Sequence, residues 1–239
     1  MKIKATDGFK PELVEGAEFV GHLDYPIIEK PKSYIIPSNL VPFTKRKYAI
    51  MEDGICFYEH DNLFAEVLAT PEKFIEEFKS YNCIISPDNS TYIDMPLVLQ
   101  QANTYINRAL TYFYQKNGVY VIPNVSWSDE RSYTPDLYGE SFAFLGLPKH
   151  SIVCVSNYGV MKNLVNRYHF LNGFRAMLNE LEPEIVLVYG SMPDKYFDEF
   201  KERTKLYHYD NWTKKCTLPA PTDNVRICYA YQMLIYIIP

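Results

Sequence analysis

The sequence predicts an α/β fold, a mostly parallel sheet with alternating helices, TIM-barrel-like or an incomplete barrel. Three observations predict it. Short apolar runs recur along the chain, among them CII (83–85), IVCV (152–155) and IVLV (185–188). Stretches of helical periodicity fall between them, and strands that alternate with helices need crossover connections and hence parallel neighbours. Each run then gives way to polar residues or glycine, as a strand does on leaving a core.

In chain order, Met1 to Thr44 is rich in proline and short of helical periodicity, so it reads as an irregular N-terminal arm, with Pro37-Ser38-Asn39 as a turn. Residues 45–211 form the core of what reads as a single α/β domain over 1–239. Apolar runs at Tyr48–Met51 and Ile55–Tyr58 flank Asp53-Gly54, a hairpin signal. Thr70 stands before Pro71 as a helix cap, with Phe74, Ile75 and Phe78 on one face. Cys83–Ser86 is a strand. The longest helix opens at Met95 or Pro96 and runs to about Asn117, where Gly118 ends it. Leu97, Val98, Ala102, Tyr105, Ile106, Ala109, Leu110 and Phe113 form its broad apolar face. Tyr120–Pro123, Ile152–Val155, Ile185–Val188 and Leu206–Tyr209 are further strands, with helices over about 161–181 and 195–203. Residues 212–239 form a tail whose apolar end, YAYQMLIYIIP, is expected to pack back on the core.

Composition bounds the function. At 239 residues with 47% hydrophobic and 22% charged content, the chain is globular. A net charge of −5 argues against duplex nucleic acid as a partner, and the short run Lys45-Arg46-Lys47 reads as a solvated loop. Five widely spaced cysteines without a CxxC pair suggest neither a disulfide framework nor a zinc site, and point to a reducing, cytoplasmic setting. The N-terminus lacks the apolar segment of a signal peptide, and no run approaches the roughly 20 residues of a membrane span. The histidines show no metal-binding spacing, and no GxSxG, P-loop or GxGxxG motif appears, so neither metal nor cofactor is expected. The 21 tyrosines and 14 phenylalanines supply core packing and rings for a binding cleft.

The chemistry is expected just beyond the strands. If these are parallel, their carboxyl ends share one rim, and the residues there are Glu59-His60-Asp61, Asp88 and Ser90, Asn124 to Asp129, Ser156-Asn157, Tyr189-Gly190-Ser191 and Asp210. Within CIISPDNSTYIDMP, Pro87 holds Ser86 extended and aims Asp88 beyond the strand, whereas Asp94, just before the helix, reads as an N-cap. Within VIPNVSWSDERS, Asp129 or Glu130 supplies a second carboxyl group. Asp88 and Asp129 are the catalytic candidates, an acid/base pair for a glycosidic bond. Tyr92, Asn124, Ser126, Trp127, Ser156 and Tyr189 are the substrate-binding candidates. Gln100, Asn103, Asn107 and Arg108 form an amide-rich stripe on the long helix and read as solvent-facing.

The segments SPDNSTYIDMP, LQQANTYINR, VIPNVSWSDERS, LPKHSIVCVSNYG and IVLVYG together resemble domain-of-unknown-function family 4417, from Firmicutes and their phages. The resemblance runs from about Pro37 to Gly190 and departs at Asn89, where an aromatic residue is more typical. It implies a bacterial or phage protein with an α/β core and names no reaction. Two readings stay open: an enzyme cleaving or transferring at a glycosidic or nucleotide bond, and a non-catalytic phage or mobile-element protein that binds a nucleotide or single-stranded nucleic acid. The expected ligand is a small molecule, nucleotide or sugar; the oligomeric state is left open.

Overall fold

A computed structural model describes residues 10–217. The tail expected to pack on the core lies, beyond Thr217, outside the described residues. Residues 10–39 carry a short antiparallel hairpin, β1 (Phe19–Val20) and β2 (Tyr25–Pro26), laid against the long helix. Seven parallel strands follow in chain order: β3 (Leu40–Pro42), β4 (Gly54–Cys56), β5 (Cys83–Ile85) and β6 (Val121–Ile122) in one sheet, then β7 (Ile152–Ser156), β8 (Ile185–Tyr189) and β9 (Lys205–Tyr209) in a second. A single parallel bridge, Asn124 to Cys154, joins the two. It is carried by Val125 N–H on Cys154 O at 2.8 Å and Cys154 N–H on Pro123 O at 2.9 Å.

Alternation along the strands sorts their side chains into two faces. Cys56, Ile85, Ile122, Cys154 and Leu187 meet in one inner cluster. Ile55, Ile84 and Val121 point the other way, toward the long helix, and Val153, Val155, Val186 and Val188 face a second helix. The array is strongly curled. Tyr58, just past β4, stacks on Tyr189 of β8 with ring centroids 5.0 Å apart, although four strand spacings in a flat sheet would separate them by roughly 19 Å. No ladder joins β9 to β3 among the described residues, so the curled sheets do not close into a TIM barrel there.

Helices fill the crossovers. The short α1 (Ala65–Ala69) and α2 (Ile75–Lys79) link β4 to β5, α3 (Leu97–Lys116) links β5 to β6, and α4 (Glu130–Tyr133) lies between β6 and β7. Then α5 (Leu164–Glu180) links β7 to β8, α6 (Asp194–Phe197) precedes β9, and α7 (Trp212–Thr217) follows it. Gly118 has a φ of +80° just past α3, the left-handed conformation of a helix stop.

Several local expectations change. Asp53-Gly54 is not a hairpin turn, because Gly54 opens a strand flanked by parallel neighbours. Asp53 accepts from Asn39 Nδ2 (2.7 Å) and Ile50 N–H (3.1 Å). A Cβ on Gly54 would come within 2.8 Å of Cys83 Sγ, so this glycine answers to strand packing. The arm extends only to residue 39, since Leu40–Pro42 is already in the sheet. Thr70 bonds back to Glu66 O and does not cap. Asp94 does not cap α3 either; Pro96 holds that position without a side-chain bond. Val98, expected on the apolar face, is 67% exposed.

The largest change concerns α3's amide stripe. Gln100, Asn107 and Arg108 are buried, and the stripe binds the backbone of the loop between β5 and α3. Gln100 Nε2 donates to Tyr92 O (3.0 Å) and Met95 O (2.9 Å), and Asn103 Nδ2 to Ser90 O (2.7 Å). Asn107 Oδ1 accepts from the backbone N–H and side-chain amide of Asn89, at 2.8 and 2.7 Å. An irregular loop has no ladder to satisfy its peptide groups, so buried amides that both donate and accept supply the partners. Asn107→Ala removes two acceptor contacts and leaves a half-buried N–H unpaired. The expected loss is about 1–3 kcal/mol of stability, with faster amide hydrogen exchange at Asn89 and Ser90 than in the wild type. Unchanged exchange there would contradict this role for the stripe.

Candidate functional site

Two adjoining cavities open beyond the carboxyl ends of the parallel strands. The first, of about 480 Å³, is lined by Tyr58, Glu59, His60, Asp88, Tyr158 and Tyr189 among others. The second, of about 440 Å³, is lined by Val125, Ser126, Trp127, Asn163, Val165 and Phe170 among others. Tyr92 and Ser156 line both. Each is the size of a small-ligand pocket.

Asp88 is the chemical centre of the first cavity. Asn124 Nδ2 donates to its Oδ1 at 2.7 Å. Burial is the main reason its pKa rises from 3.8 to about 6, and the Asp61 charge pushes the same way; hydrogen bonds from Ser126 and Asn124 and the Arg108 charge oppose it. The orientation of Asn124 is fixed from its other side, because the Tyr58 hydroxyl donates to Asn124 Oδ1 at 2.9 Å and leaves the NH₂ group for Asp88. Asn124 N–H in turn bonds Ser86 Oγ (2.7 Å). The Tyr58 hydroxyl also lies 3.0 Å from Cys154 Sγ.

Below this network lies Arg108, 2% exposed. Its guanidinium donates to Ala143 O (2.7 Å), Leu145 O (3.0 Å) and Asn124 O (3.4 Å). Burial lowers its pKa to about 10, so it still carries its charge near neutral pH. The loop bearing Asp88 and Tyr92 is held from the opposite side by Asp61, whose carboxylate accepts from Ser90 N–H (3.1 Å) and Ser90 Oγ (2.8 Å).

The residues singled out by sequence fall into three groups. Asp88, Tyr92, Ser156 and Tyr189 line the first cavity, and Ser126 and Trp127 line the second with Tyr92 and Ser156. Asn124 is 1% exposed and lies behind Asp88 as its hydrogen-bond donor. Asp129 lines neither cavity. Its carboxylate caps α4 through Arg131 N–H (3.0 Å) and pairs with the Arg131 guanidinium at 2.7 Å, a hydrogen bond that lowers its pKa. The second carboxyl group on the Asp88 cavity is instead Glu59, held by the Thr44 N–H at 2.9 Å and the Thr44 hydroxyl.

Trp127 is a fixed wall. It stacks on Phe170 with centroids 5.5 Å apart, and its Nε1 donates to His169 O at 3.2 Å. A Cβ on Gly173 of α5 would fall 2.2 Å from that nitrogen, so glycine there is a condition of the packing. The sequence reading missed Tyr58, Tyr158 and Arg108 as site residues. Tyr58 ends an apolar run and gave only the signal of its strand-end position; the buried role of Arg108 gave none.

Residues 17–210 match the family described as Domain of unknown function (DUF4417). The chain belongs to that family. The match begins earlier than the motifs at Pro37 and ends just before Asn211. The chain is 28% identical over 174 residues to the Gene 1 protein of Mycobacterium phage D29, covering 71% of this chain and 61% of that protein. It is 30% identical over 148 residues to the Gene 1 protein of Mycobacterium phage L5, covering 62% of each. This family member therefore spans about three fifths of these relatives' length. Both are phage proteins; the Firmicutes part of the expectation rests on the motif resemblance alone. No solved structure matches the chain. Among the described residues, no helix is long and apolar enough to cross a membrane.

The raised pKa of Asp88 has a stability consequence of definite sign. Below about pH 4 the group is protonated in both folded and unfolded chains and carries no penalty. As pH rises from about 4 through about 6, the unfolded chain ionises first and the fold loses up to roughly 3 kcal/mol. Asp88→Asn keeps the shape without the titration. Its melting temperature relative to the wild type is expected to rise between about pH 4 and pH 7 and then level off. A difference independent of pH would contradict the shift.

Proposed function

We propose that this protein is an enzyme that cleaves or transfers at a glycosidic bond, with Asp88 as the proton-transferring group. The observation that carries the proposal is Asp88 itself, a desolvated carboxyl group that divides between its two protonation states near pH 6 and opens onto a cavity holding a second carboxyl group, Glu59. A group with that pKa can both give and take a proton at ordinary pH.

In the proposed reaction the Asp88 carboxyl group protonates the leaving atom as its bond to the sugar carbon breaks, and Glu59 supplies negative charge to the electron-poor carbon. Water, or an acceptor hydroxyl, then bonds to that carbon and surrenders a proton to the Asp88 carboxylate. The proton lent is returned and no other reactant is consumed. Ser126 and Asn124 donate to Asp88 in its ionised form and Tyr58 holds Asn124, so these are positioning residues. Glu59 takes the role that the sequence reading gave to Asp129.

A second reading has its own support. The rings of Tyr92 and Tyr158 are 54% and 52% exposed, and exposed rings beside a cleft also suit a protein that stacks nucleotides or single-stranded nucleic acid without chemistry. The two carboxylates on the cavity wall, Glu59 and Asp88, weigh against it, because phosphate favours cationic contacts and the wall sets only Lys45 and His60 against them among the described residues.

Turnover of the cleaved glycoside by Asp88→Asn, Glu59→Gln and Asp129→Asn separates these roles. Asp88→Asn and Glu59→Gln are each expected to lose roughly 10² to 10⁴-fold in kcat while remaining folded, whereas Asp129→Asn chiefly lowers the melting temperature. Wild-type turnover in folded Asp88→Asn would refute the proposal.

A further inference from the structure

Resting on this catalytic reading, we infer that the two cavities form one bipartite site whose substrate is an unphosphorylated nucleoside, its planar base in the Trp127 cavity and its sugar beside Asp88. The junction motivates the inference. Tyr92 and Ser156 belong to both walls, and Asn124, which donates to Asp88 of the first cavity, stands two residues before Ser126 of the second. A ligand crossing that junction would carry its central bond past the Asp88 carboxyl group.

The halves differ in chemistry. Around Trp127 the wall is apolar, from Val125, Val160 and Phe170, with neutral hydrogen-bonding groups at Ser126, Asn163 and Asn166 and one exposed carboxylate, Asp94; no Lys or Arg lines it among the described residues. Apolar faces edged by amides and hydroxyls suit an uncharged heterocycle, which presents flat surfaces and a polar perimeter. The other half offers Glu59, Asp88, Lys45, His60 and the hydroxyls of Tyr58, Ser90 and Tyr189, hydrogen-bonding groups that suit a polyhydroxylated sugar.

Two alternatives fit less well. A phosphate on the sugar would meet two carboxylates, Glu59 and Asp88, against one lysine, Lys45, and His60 on that wall, so like charge outweighs the cationic contact. An oligosaccharide would place a second polyol against the apolar half and leave its hydroxyls short of partners. A neutral molecule with one planar and one polyhydroxylated half meets both walls.

The test is calorimetric titration of the full chain with adenosine, cytidine, their 5′-monophosphates and maltotriose, repeated with Val165→Trp. Val165 lies on the rim of the base cavity and is 58% exposed, so a larger side chain there occludes that half without entering the core. At least one nucleoside is expected to bind, its 5′-monophosphate at least about tenfold more weakly, and Val165→Trp to weaken the nucleoside by a similar factor. Tighter binding of the monophosphate, binding of maltotriose without the nucleosides, no nucleoside binding, or indifference to Val165→Trp would each overturn the inference. Failures of the two proposals are distinguishable. Maltotriose cleaved in an Asp88-dependent manner would keep the catalytic reading and end this one, whereas a nucleoside bound by the expected pattern but never turned over would end the catalytic reading and leave the two cavities as a nucleoside-binding site.

Discussion

The hydrogen bond from Asn124 to Asp88 is the contact on which the site depends. A carboxyl group withdrawn from water at the end of β5 is unfavourable when ionised, and the protein meets that cost with two neutral donors and the buried charge of Arg108. Asn124 also carries the single bridge between the two parallel sheets. The residue that joins the sheets therefore also sets the carboxyl group's environment, and the Tyr58 hydroxyl decides which end of its amide faces Asp88.

Helix α3 serves the site twice. Its buried amides hold the Asp88–Tyr92 loop from below, while Arg108 reaches beneath Asn124 to the carbonyls of Ala143 and Leu145. The irregular loop that carries Asp88 thus gains the definition that strands obtain from their ladders. The arrangement costs stability, since a charged guanidinium is buried and an ionisable carboxyl group partly buried without direct hydrogen bonds between them, a burden more often found at functional sites than in plain cores.

What could be read from the chain follows its physics. Alternating apolar runs and helical periodicity are local patterns, so the strands at Cys83, Ile152 and Ile185 and the helix ending at Gly118 were legible. So was the rim on which the two cavities open, because parallel connections bring the residues after each strand to one side. Asp88 and Asp129 look alike in sequence, each a carboxylate in a polar turn after a strand; Arg131, two residues on, turns Asp129 into a cap, and only the fold shows Glu59 lining the same cavity as Asp88. A row of amides at helical spacing reads the same whether it meets water or a loop backbone, so the burial of Gln100 and Asn107 was not legible. Asp53-Gly54 carried a hairpin signal that parallel pairing on both sides overrode.

The most direct test of this account is the ionisation of Asp88 itself, followed through its side-chain carboxyl carbon by NMR across the acid and neutral range. The account predicts a midpoint near 6, moved upward in Asn124→Ala as a donor to the ionised form is lost. A midpoint at the ordinary aspartate value, insensitive to Asn124, would contradict it.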